Sequence, residues 1–408
     1  MKNLHNTTGS IAETLKEASS LCNDHGITRL ADITDFSLIK LPVWIGIRPN
    51  AKCLSQSAGK GMSSNAAKLS ALMEGLEVSF AESFIFKDYE VASINSKSIK
   101  NLDCVDLDSI CIHRNLLSQE LVEWVKIKEI NKNEEAYIPW KMLSLNFCLD
   151  NDSPYTPRKF QPTSNGVASG KTLIEASVSA LLEIVERHSI TLQNKLISHL
   201  HLIDIEDLKS DHIQYAINEI KKGGGELMLF DATVINGIYT FEAVQWSKSK
   251  NIPITHGSGA SLDPETAILR AILEANQAAT IILSGSRDDI TKSMYTTITE
   301  NRNVIKSYKS KAKEHTTVNV LKDFPPMSPD KELSLIVEKV SSYIGQPIYR
   351  HIYTKKEDCI SVVKIIIPRM EGYYLRGYKP VSQMGINLNK KPDIVREETF
   401  DLAAGGQG

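Results

Sequence analysis

Pairs of acidic or amide residues three positions apart recur in this chain, each inside an apolar stretch. The pairs are Glu74 and Glu77 in "SALMEGLE", Glu183 and Glu186 in "SALLEIVE", and Glu274 and Gln277 in "AILEANQ". Residues at positions i and i+3 share one face of a helix. Because apolar residues surround each pair, the pattern predicts three largely buried helices that each present two polar groups on one side.

Carboxylates in buried helices are costly, at several kcal/mol per ion, unless a positive charge compensates them. Candidate partners are Arg187, Arg270, Lys60 or divalent cations. Oxygen ligands clustered without His or Cys favour Mg²⁺ over zinc or copper. A single pair of this kind is usually a solvated surface feature, whereas three similar copies indicate ligands.

A glycine-rich segment precedes each helix. The segments are "SAGKG" (57–61), "SNGVASG" (164–170) and "HGSGAS" (256–261). Gly61 lies 13 residues before Glu74, Gly170 lies 13 before Glu183, and Gly259 lies 15 before Glu274. The glycines predict turns that open into helices, where backbone N–H groups bind phosphate. With the charge of Lys60, the three copies predict the walls of one nucleotide–magnesium site.

Common nucleotide-binding motifs do not account for this site. A P-loop that ends at Lys60 requires a glycine at position 54 and a hydroxyl at 61, where the chain has Leu54 and Gly61. No GxGxxG follows a predicted strand, so a Rossmann site is unsupported.

Several single residues have two interpretations each. Ser70 either contacts nucleotide or bonds its own helix backbone. Arg187 either stabilises a phosphoryl group or forms an ion pair within its helix. Arg287, in "GSRDD", either contacts phosphate or ends a helix. The histidines His188, His199, His201 and His256 are interpreted as structural or solvated rather than as catalytic or metal-binding.

Periodic patterns show which elements position these residues. Helices are predicted at 10–26, 62–83, 171–195, 206–222 and 264–284, and strands at 42–50, 121–130, 226–233, 239–247 and 359–368. Because the two types are interleaved without regular alternation, the expected fold class is α/β with mixed α+β layers in one composite domain. The predicted organisation is an N-terminal helix (1–27), a catalytic domain (28–386) with a possible insertion lobe (85–155), and a polar tail (387–408).

Composition limits the partners and the compartment. The chain has 408 residues, of which 42% are hydrophobic and 24% charged, and its formal net charge is −2. This balance argues against binding nucleic acid through a positive surface. No apolar run of about 20 residues or signal peptide is evident in the sequence, so no membrane association is expected. The six cysteines form no CxxC pair, which argues against zinc and favours a cytoplasmic location.

The three motif segments together resemble the YcaO family, and the resemblance extends over about residues 28–385. It implies an ATP- and Mg²⁺-dependent enzyme that phosphorylates the oxygen of a peptide backbone amide. A Cys, Ser or Thr side chain then adds to give an azoline, or external sulfide gives a thioamide. Family members are usually homodimers.

The resemblance also implies individual roles. The first motif places Ser70 and Glu74 at ATP, with Glu74 and Glu77 at Mg²⁺. The second motif assigns metal binding and catalysis to Glu183 and Glu186, and catalysis to Arg187. The remaining expected ATP-binding residues are Lys60, Asn165, Glu274, Gln277 and Arg287.

The chain departs from azoline-forming relatives, which often end in a PxPxP tail, because it ends "DLAAGGQG". This departure argues against heterocycle formation and favours thioamide formation or another amide-directed chemistry. "SGSRDD", at 284–289, resembles members that act with a TfuA-type partner. A separate TfuA-like, E1-like or peptide-clamp protein is therefore expected to deliver the peptide or protein substrate. The alternative is a nucleotide-binding accessory protein with this fold and no amide chemistry. Peptide-dependent release of ADP and phosphate distinguishes the two.

Overall fold

The structure is a computed structural model that describes residues 9–84, 89–93, 121–132, 134–148, 163–193, 200–247, 253–287, 290, 303–316, 324–325, 327–372 and 380–389. Most of the predicted insertion lobe (85–155), most of the polar tail (387–408) and His199 therefore lie outside the described residues.

Helices and strands occur in a mixed order along the chain. The helices are α1 (Ile11–Ser19), α2 (Ser64–Glu82), α3 (Leu173–Ile190), α4 (Asp211–Lys222), α5 (Pro264–Ser284), α6 (Asn303–Lys311), α7 (Pro329–Ile344) and α8 (Gln383–Asn389). The strands are β1 (Arg29–Asp32), β2 (Val43–Ile47), β3 (Gln56–Lys60), β4 (Glu90–Ser93), β5 (Leu121–Glu129), β6 (Glu135–Pro139), β7 (Val167–Gly170), β8 (Leu200–Ile203), β9 (Gly225–Asp231), β10 (Tyr239–Ser247), β11 (Thr255–Ser261), β12 (Ala312–Thr316), β13 (Tyr349–Ile352) and β14 (Ser361–Ile366). All the helices and strands predicted from periodicity are present, so the mixed α/β fold class is confirmed.

The strands form three sheets. The first has the order β1-β2-β3, and the second has the order β4-β5-β13-β14-β7, with β6 paired to β5. The third has the order β11-β10-β9-β8-β12. All pairs are antiparallel except β12 with β8. Among the described strands, β3, β7 and β11 each lie at the edge of a different sheet, and each leads directly into a helix: α2, α3 and α5.

The prediction of glycine turns was wrong for the first and third segments, which are the edge strands β3 and β11. The second segment has a turn at Asn165 and Gly166, which leads into the edge strand β7. Glycines in all three strands allow close packing of strand against helix. A Cβ added to Gly59 would lie 2.1 Å from the Ala67 carbonyl oxygen, and one on Gly259 would lie 2.3 Å from that of Ala267. A Cβ on Gly170 would lie 2.4 Å from the Ala176 nitrogen. Glycine inside a strand often marks a site where another backbone approaches closely.

The helix α5 lies in the protein core. By length and composition it is the one helix in the described part of the chain that would suffice to cross a membrane, but 67% of its most apolar window is buried in the protein. Ala267, Ile268, Ala271 and Ile272 on this helix are fully buried against the third sheet and α4. Its polar side chains Thr266, Arg270, Glu274 and Gln277 line a cavity, which explains why an apolar helix carries them.

Candidate functional site

The three long helices present the same three positions to a single cavity of about 790 Å³. These positions are Ser70, Glu74 and Glu77 on α2, Ser179, Glu183 and Glu186 on α3, and Arg270, Glu274 and Gln277 on α5. The third helix differs from the other two at its first and third positions, where Arg270 replaces serine and Gln277 replaces glutamate. Each change makes the third wall less negative.

Contacts of the glycines give the register between the copies. Gly59 packs on Ala67 and Ala71, and Gly259 packs on Ala267 and Ala271, so the first and third copies correspond at a constant spacing. Gly59 therefore precedes Glu74 by the same 15 residues that separate Gly259 from Glu274. The glycine spacing in the sequence aligns Gly259 with Gly61, whereas the structure aligns Gly259 with Gly59.

Three side-chain contacts connect the copies in a closed ring, which we call the carboxylate ring. The Glu77 carboxylate on α2 accepts hydrogen bonds from Ser169 on β7, through its backbone N–H at 2.8 Å and its hydroxyl at 2.6 Å. The Glu186 carboxylate on α3 accepts one from the Ser258 hydroxyl on β11 at 2.7 Å. The Glu274 carboxylate on α5 accepts one from the Lys60 ammonium on β3 at 2.6 Å. Each helix thus reaches the edge strand of the next copy.

The acidic residues differ in how far they face solvent in the cavity. Glu74 is exposed to the cavity, Glu77 and Glu183 are half-buried, and Glu186 is 9% exposed. Surrounding protein atoms desolvate all four carboxyls, which raises the pKa of Glu77 to about 8 and those of Glu74 and Glu183 to about 7. Desolvation also raises the pKa of Glu186.

Cations line the same cavity. Arg187 Nη2 lies 3.6 Å from Glu183 Oε1, and the charges of Lys60 and Arg287 lower the pKa of Glu74. Arg270 donates a hydrogen bond to the Ala260 carbonyl at 3.1 Å, and burial lowers its pKa. These positive groups compensate the carboxylates only in part. Besides burial, the groups that shift the pKa of Glu77 most are Ser169, Glu74 and Glu183, and none of them is a cation.

Of the predicted site residues, Asn165 is the one that does not line the cavity. It lies on the turn before β7, and its neighbour Ser164 lines the cavity instead. The Asn165 Oδ1 atom is buried and has no hydrogen-bond partner among the described residues.

His188 is structural. It is fully buried, its Nδ1 accepts a hydrogen bond from the backbone N–H of Glu371 at 2.9 Å, and its Nε2 lies 3.0 Å from the Tyr343 hydroxyl. Burial lowers its pKa to about 3, so the ring is neutral at physiological pH.

Sequence reasoning missed several polar residues of this site, among them Ser169, Ser179, Ser258 and Glu332. Ser179 had a detectable signal, because it stands in the same position of "SALLEIVE" as Ser70 does in "SALMEGLE". Ser169 and Ser258 had none, since their partners are 92 and 72 residues away in the chain.

The donor set suits Mg²⁺, because it consists of carboxylate oxygens that lack sufficient counter-charge. In the described part of the chain, no three acidic, His or Cys side chains meet at one point. A Mg²⁺ ion at this site therefore requires phosphate or water oxygens as further ligands, as is usual for this ion.

Comparison with known proteins identifies the family. The sequence model described as "YcaO cyclodehydratase, ATP- and Mg²⁺-binding" matches residues 58–371. The chain belongs to the YcaO family. The family description names ATP and Mg²⁺, which confirms the two cofactors that the resemblance implies.

Individual YcaO relatives agree with this assignment. A protein from the tfuA 3′ region of Rhizobium leguminosarum bv. trifolii is 30% identical over 71% of this chain and 70% of its own length. A protein of Methanothermobacter thermautotrophicus is 25% identical over 88% of this chain and 94% of its own. The structure of YcaO from Methanopyrus kandleri, bound with AMPPCP and Mg²⁺, has a TM-score of 0.72 and 20% identity over 93% of this chain and 98% of its own. A heterocyclase in complex with substrate and cofactor has a TM-score of 0.76 and 19% identity, over 96% of this chain and 58% of its own.

Proposed function

We propose that this YcaO protein uses Mg·ATP to activate a backbone amide of a ribosomally made peptide or protein. The observation that carries the proposal is that Glu74, Glu77, Glu183 and Glu186 line one cavity together with several cations. Phosphoryl transfer depends on positioning and charge neutralisation more than on covalent participation by the protein. A cavity lined by carboxylates and by cationic side chains is suited to that task.

The residues divide into two groups by charge. The four glutamates would hold Mg²⁺, which when bound neutralises charge on the phosphate oxygens and lowers the barrier to phosphoryl transfer. Lys60, Arg187 and Arg287 would attract the triphosphate, and Arg187 would also stabilise the transferred phosphoryl group. Ser70, Glu274 and Gln277 complete the proposed nucleotide site.

The proposed reaction has two steps. The amide oxygen attacks the γ-phosphorus of ATP, and ADP leaves. A nucleophile then adds to the amide carbon and loses its proton, and the former amide oxygen departs with phosphate. Azoline formation also removes the proton of the amide nitrogen, so that a C=N bond forms. A Cys, Ser or Thr side chain of the substrate would yield an azoline, with net loss of one water, and sulfide would yield a thioamide.

We favour the thioamide outcome with a separate TfuA-type partner. The relative from the tfuA 3′ region supports such a partner, and the E. coli microcin synthetase McbBCD complex shows that a protein of this fold can act within an assembly. Homodimer formation is part of the same proposal.

Mass spectrometry of the peptide substrate tests the proposal. The purified chain is incubated with Mg·ATP, the peptide encoded beside its gene, and the neighbouring partner protein, with and without sulfide. Exchange of one oxygen for sulfur or loss of one water is expected, with peptide-dependent release of ADP. ATP binding without either mass change would instead support an accessory role, which the cyclodehydratase family description does not favour.

Substitution of one metal ligand completes the test. Glu183→Gln should abolish ATP turnover and leave the fold intact. Glu338→Gln, on the exposed face of α7, is the matched control and should retain full activity. Equal activity in the two variants would exclude Glu183 from the proposed metal site.

A further inference from the structure

A glutamine in the cavity wall has no partner for either end of its side-chain amide. Gln56 stands at the start of β3 and lines the cavity, about 13 Å along the strand from Lys60. Its Oε1 and Nε2 atoms are buried, and neither has a hydrogen-bond partner in the described part of the chain. Buried polar atoms are rarely left unpaired, because each one costs stability. The two atoms therefore require an explanation at the site.

The cavity wall near this glutamine is apolar and reaches the surface. We call this part of the wall the rim, and it consists of Cys53, Leu54, Val78, Leu145 and Phe147. Phe147 is 36% exposed, whereas Leu145 is buried. Val78 directly follows Glu77, a member of the carboxylate ring, in α2. The rim therefore lies between the solvent and the carboxylate ring.

Contacts outside the cavity fix the rim in place. The Arg48 Nη2 atom donates a hydrogen bond of 2.5 Å to the Glu82 carboxylate, and both side chains are buried. The same carboxylate accepts one from the Cys53 backbone N–H at 2.9 Å. The Phe147 backbone N–H donates to the Lys52 carbonyl at 3.3 Å. The loop between β2 and β3 is thus tied to α2 and to the segment that carries Phe147, so the rim is a preformed surface.

The hydrogen-bonding capacity of a glutamine side chain limits what it can bind. A phosphate group only accepts hydrogen bonds, so it satisfies one end of a carboxamide and leaves the other unpaired. A peptide group satisfies both ends, since it carries one N–H donor and one carbonyl acceptor. The edge of an adenine ring also offers both. The open rim favours the peptide, because a peptide chain extends beyond the cavity and its reacting amide must enter from solvent.

We infer that Gln56 binds a backbone peptide group of the substrate beside the amide that is activated, while the rim packs against an adjoining apolar side chain. The inference rests on the proposed function. No hydrogen bond from a described residue holds the Gln56 carboxamide, so rotation about its side-chain bonds turns it toward the entering peptide. Two hydrogen bonds then orient the substrate beside Glu77. Gln56 binds substrate and takes no part in phosphoryl transfer.

Steady-state kinetics of the intact protein tests the inference, with Mg·ATP, the neighbouring partner protein and a synthetic copy of the peptide encoded beside its gene. Gln56→Met retains the length of the side chain and removes both hydrogen-bonding groups. It should raise the KM for the peptide by about 10- to 100-fold, since two ordinary hydrogen bonds are lost. The Kd of Mg·AMPPCP, measured by calorimetry, should not change. Gln383→Met, exposed on α8, is the matched control.

Stability distinguishes substrate binding from a structural role. Gln56→Met removes two unpaired buried atoms, so the melting temperature of the ligand-free protein should rise or stay the same. An unchanged KM for the peptide would overturn the inference. A weaker Kd for Mg·AMPPCP would also overturn it and would assign Gln56 to adenine. If the unaltered protein releases no ADP in response to the peptide, the proposed function fails, and this inference fails with it.

Photocross-linking locates the peptide independently of kinetics. Replacement of Phe147 by p-benzoylphenylalanine should give a cross-link to the same synthetic peptide on irradiation, and mass spectrometry identifies the linked residue. The same replacement of Tyr215, which is 47% exposed on α4, is the control and should give none. A protein that turns over the peptide but forms no cross-link from position 147 would contradict the rim as the peptide-binding surface.

Discussion

The Glu274 carboxylate lies 2.6 Å from the Lys60 ammonium, although the two residues are 214 positions apart in the chain. This ion pair joins the third helix to the first edge strand and closes the carboxylate ring. The side chains are 27% exposed for Lys60 and 17% for Glu274, so water screens the pair only in part. The other two contacts of the ring use serine, which makes Lys60 the member that supplies positive charge.

Removal of Lys60 should destabilise the protein. Lys60→Met deprives an enclosed carboxylate of its closest cation, and we expect a loss of about 1–3 kcal/mol in the free energy of unfolding. The double variant Lys60→Met/Glu274→Gln should lose less free energy of unfolding than the two single variants together, because the two residues interact directly. Denaturant unfolding measures both effects. Lys40→Met, which breaks the exposed pair with Asp35, is the control and should have little effect. Strict additivity would contradict the interaction.

The stability of the metal-free protein should fall as the pH rises. The folded-state pKa values of Glu77, Glu74 and Glu183, at about 8, 7 and 7, lie above the ordinary value of 4.5. The folded state therefore holds these protons more tightly, and the resulting stability is full below pH 4.5 and is lost as the pH rises through 7 to 8. Because Mg²⁺ favours the ionised carboxylates, its stabilising effect should grow over the same window.

Thermal unfolding between about pH 5 and pH 8, in EDTA and in Mg²⁺, checks this dependence. Glu77→Gln should flatten the decline in EDTA, whereas Glu338→Gln should leave it unchanged. A melting temperature in EDTA that rises over this range, or equal slopes in the two variants, would contradict the assignment.

Alanine at Gly59 or Gly259 should be poorly tolerated. The added Cβ would lie 2.1 Å or 2.3 Å from a helix carbonyl oxygen, and backbone atoms cannot move aside as a flexible side chain can. We expect a loss of about 1–3 kcal/mol or more in the free energy of unfolding. Gly372→Ala is the control, since its nearest neighbour would be Asn165 Nδ2 at 3.9 Å. Similar stabilities for the three variants would show that the helices do not pack so closely on the edge strands.

Glycine should be tolerated better than alanine at position 369. Arg369 has a φ of 64°, the one positive value found for a non-glycine residue among the described residues. This conformation costs roughly 1–2 kcal/mol for an L-residue with a Cβ, and glycine avoids most of the cost. Arg369→Gly should therefore be more stable than Arg369→Ala by about 1 kcal/mol, since both lose the arginine side chain but only alanine retains the strain. Equal free energies of unfolding would show that Arg369 is unstrained.

The features predicted correctly from the sequence are local ones. The apolar period and the i, i+3 spacing of Glu74 with Glu77, and of Glu183 with Glu186, depend on neighbouring residues alone. These features led to the three helices, to the YcaO family and to a shared acidic site. The first and third glycine-rich segments were misassigned because short strands with few large side chains have the composition of turns.

The carboxylate ring was not predictable by the same reasoning. Contacts such as Glu186 with Ser258 depend on how three sheets are placed, and no spacing in the sequence records that placement.

The carboxylate ring has a consequence for synthesis of the protein. Residues leave the ribosome in order, so a nascent chain that has reached Gly170 possesses both members of the Glu77–Ser169 contact but lacks the whole third wall. The nucleotide pocket is completed only when Glu274 has emerged and returned to Lys60, near the start of the chain. Contacts between residues so far apart in sequence are slow to form. The pocket is therefore complete only after residue 274 has been synthesised and has paired with Lys60.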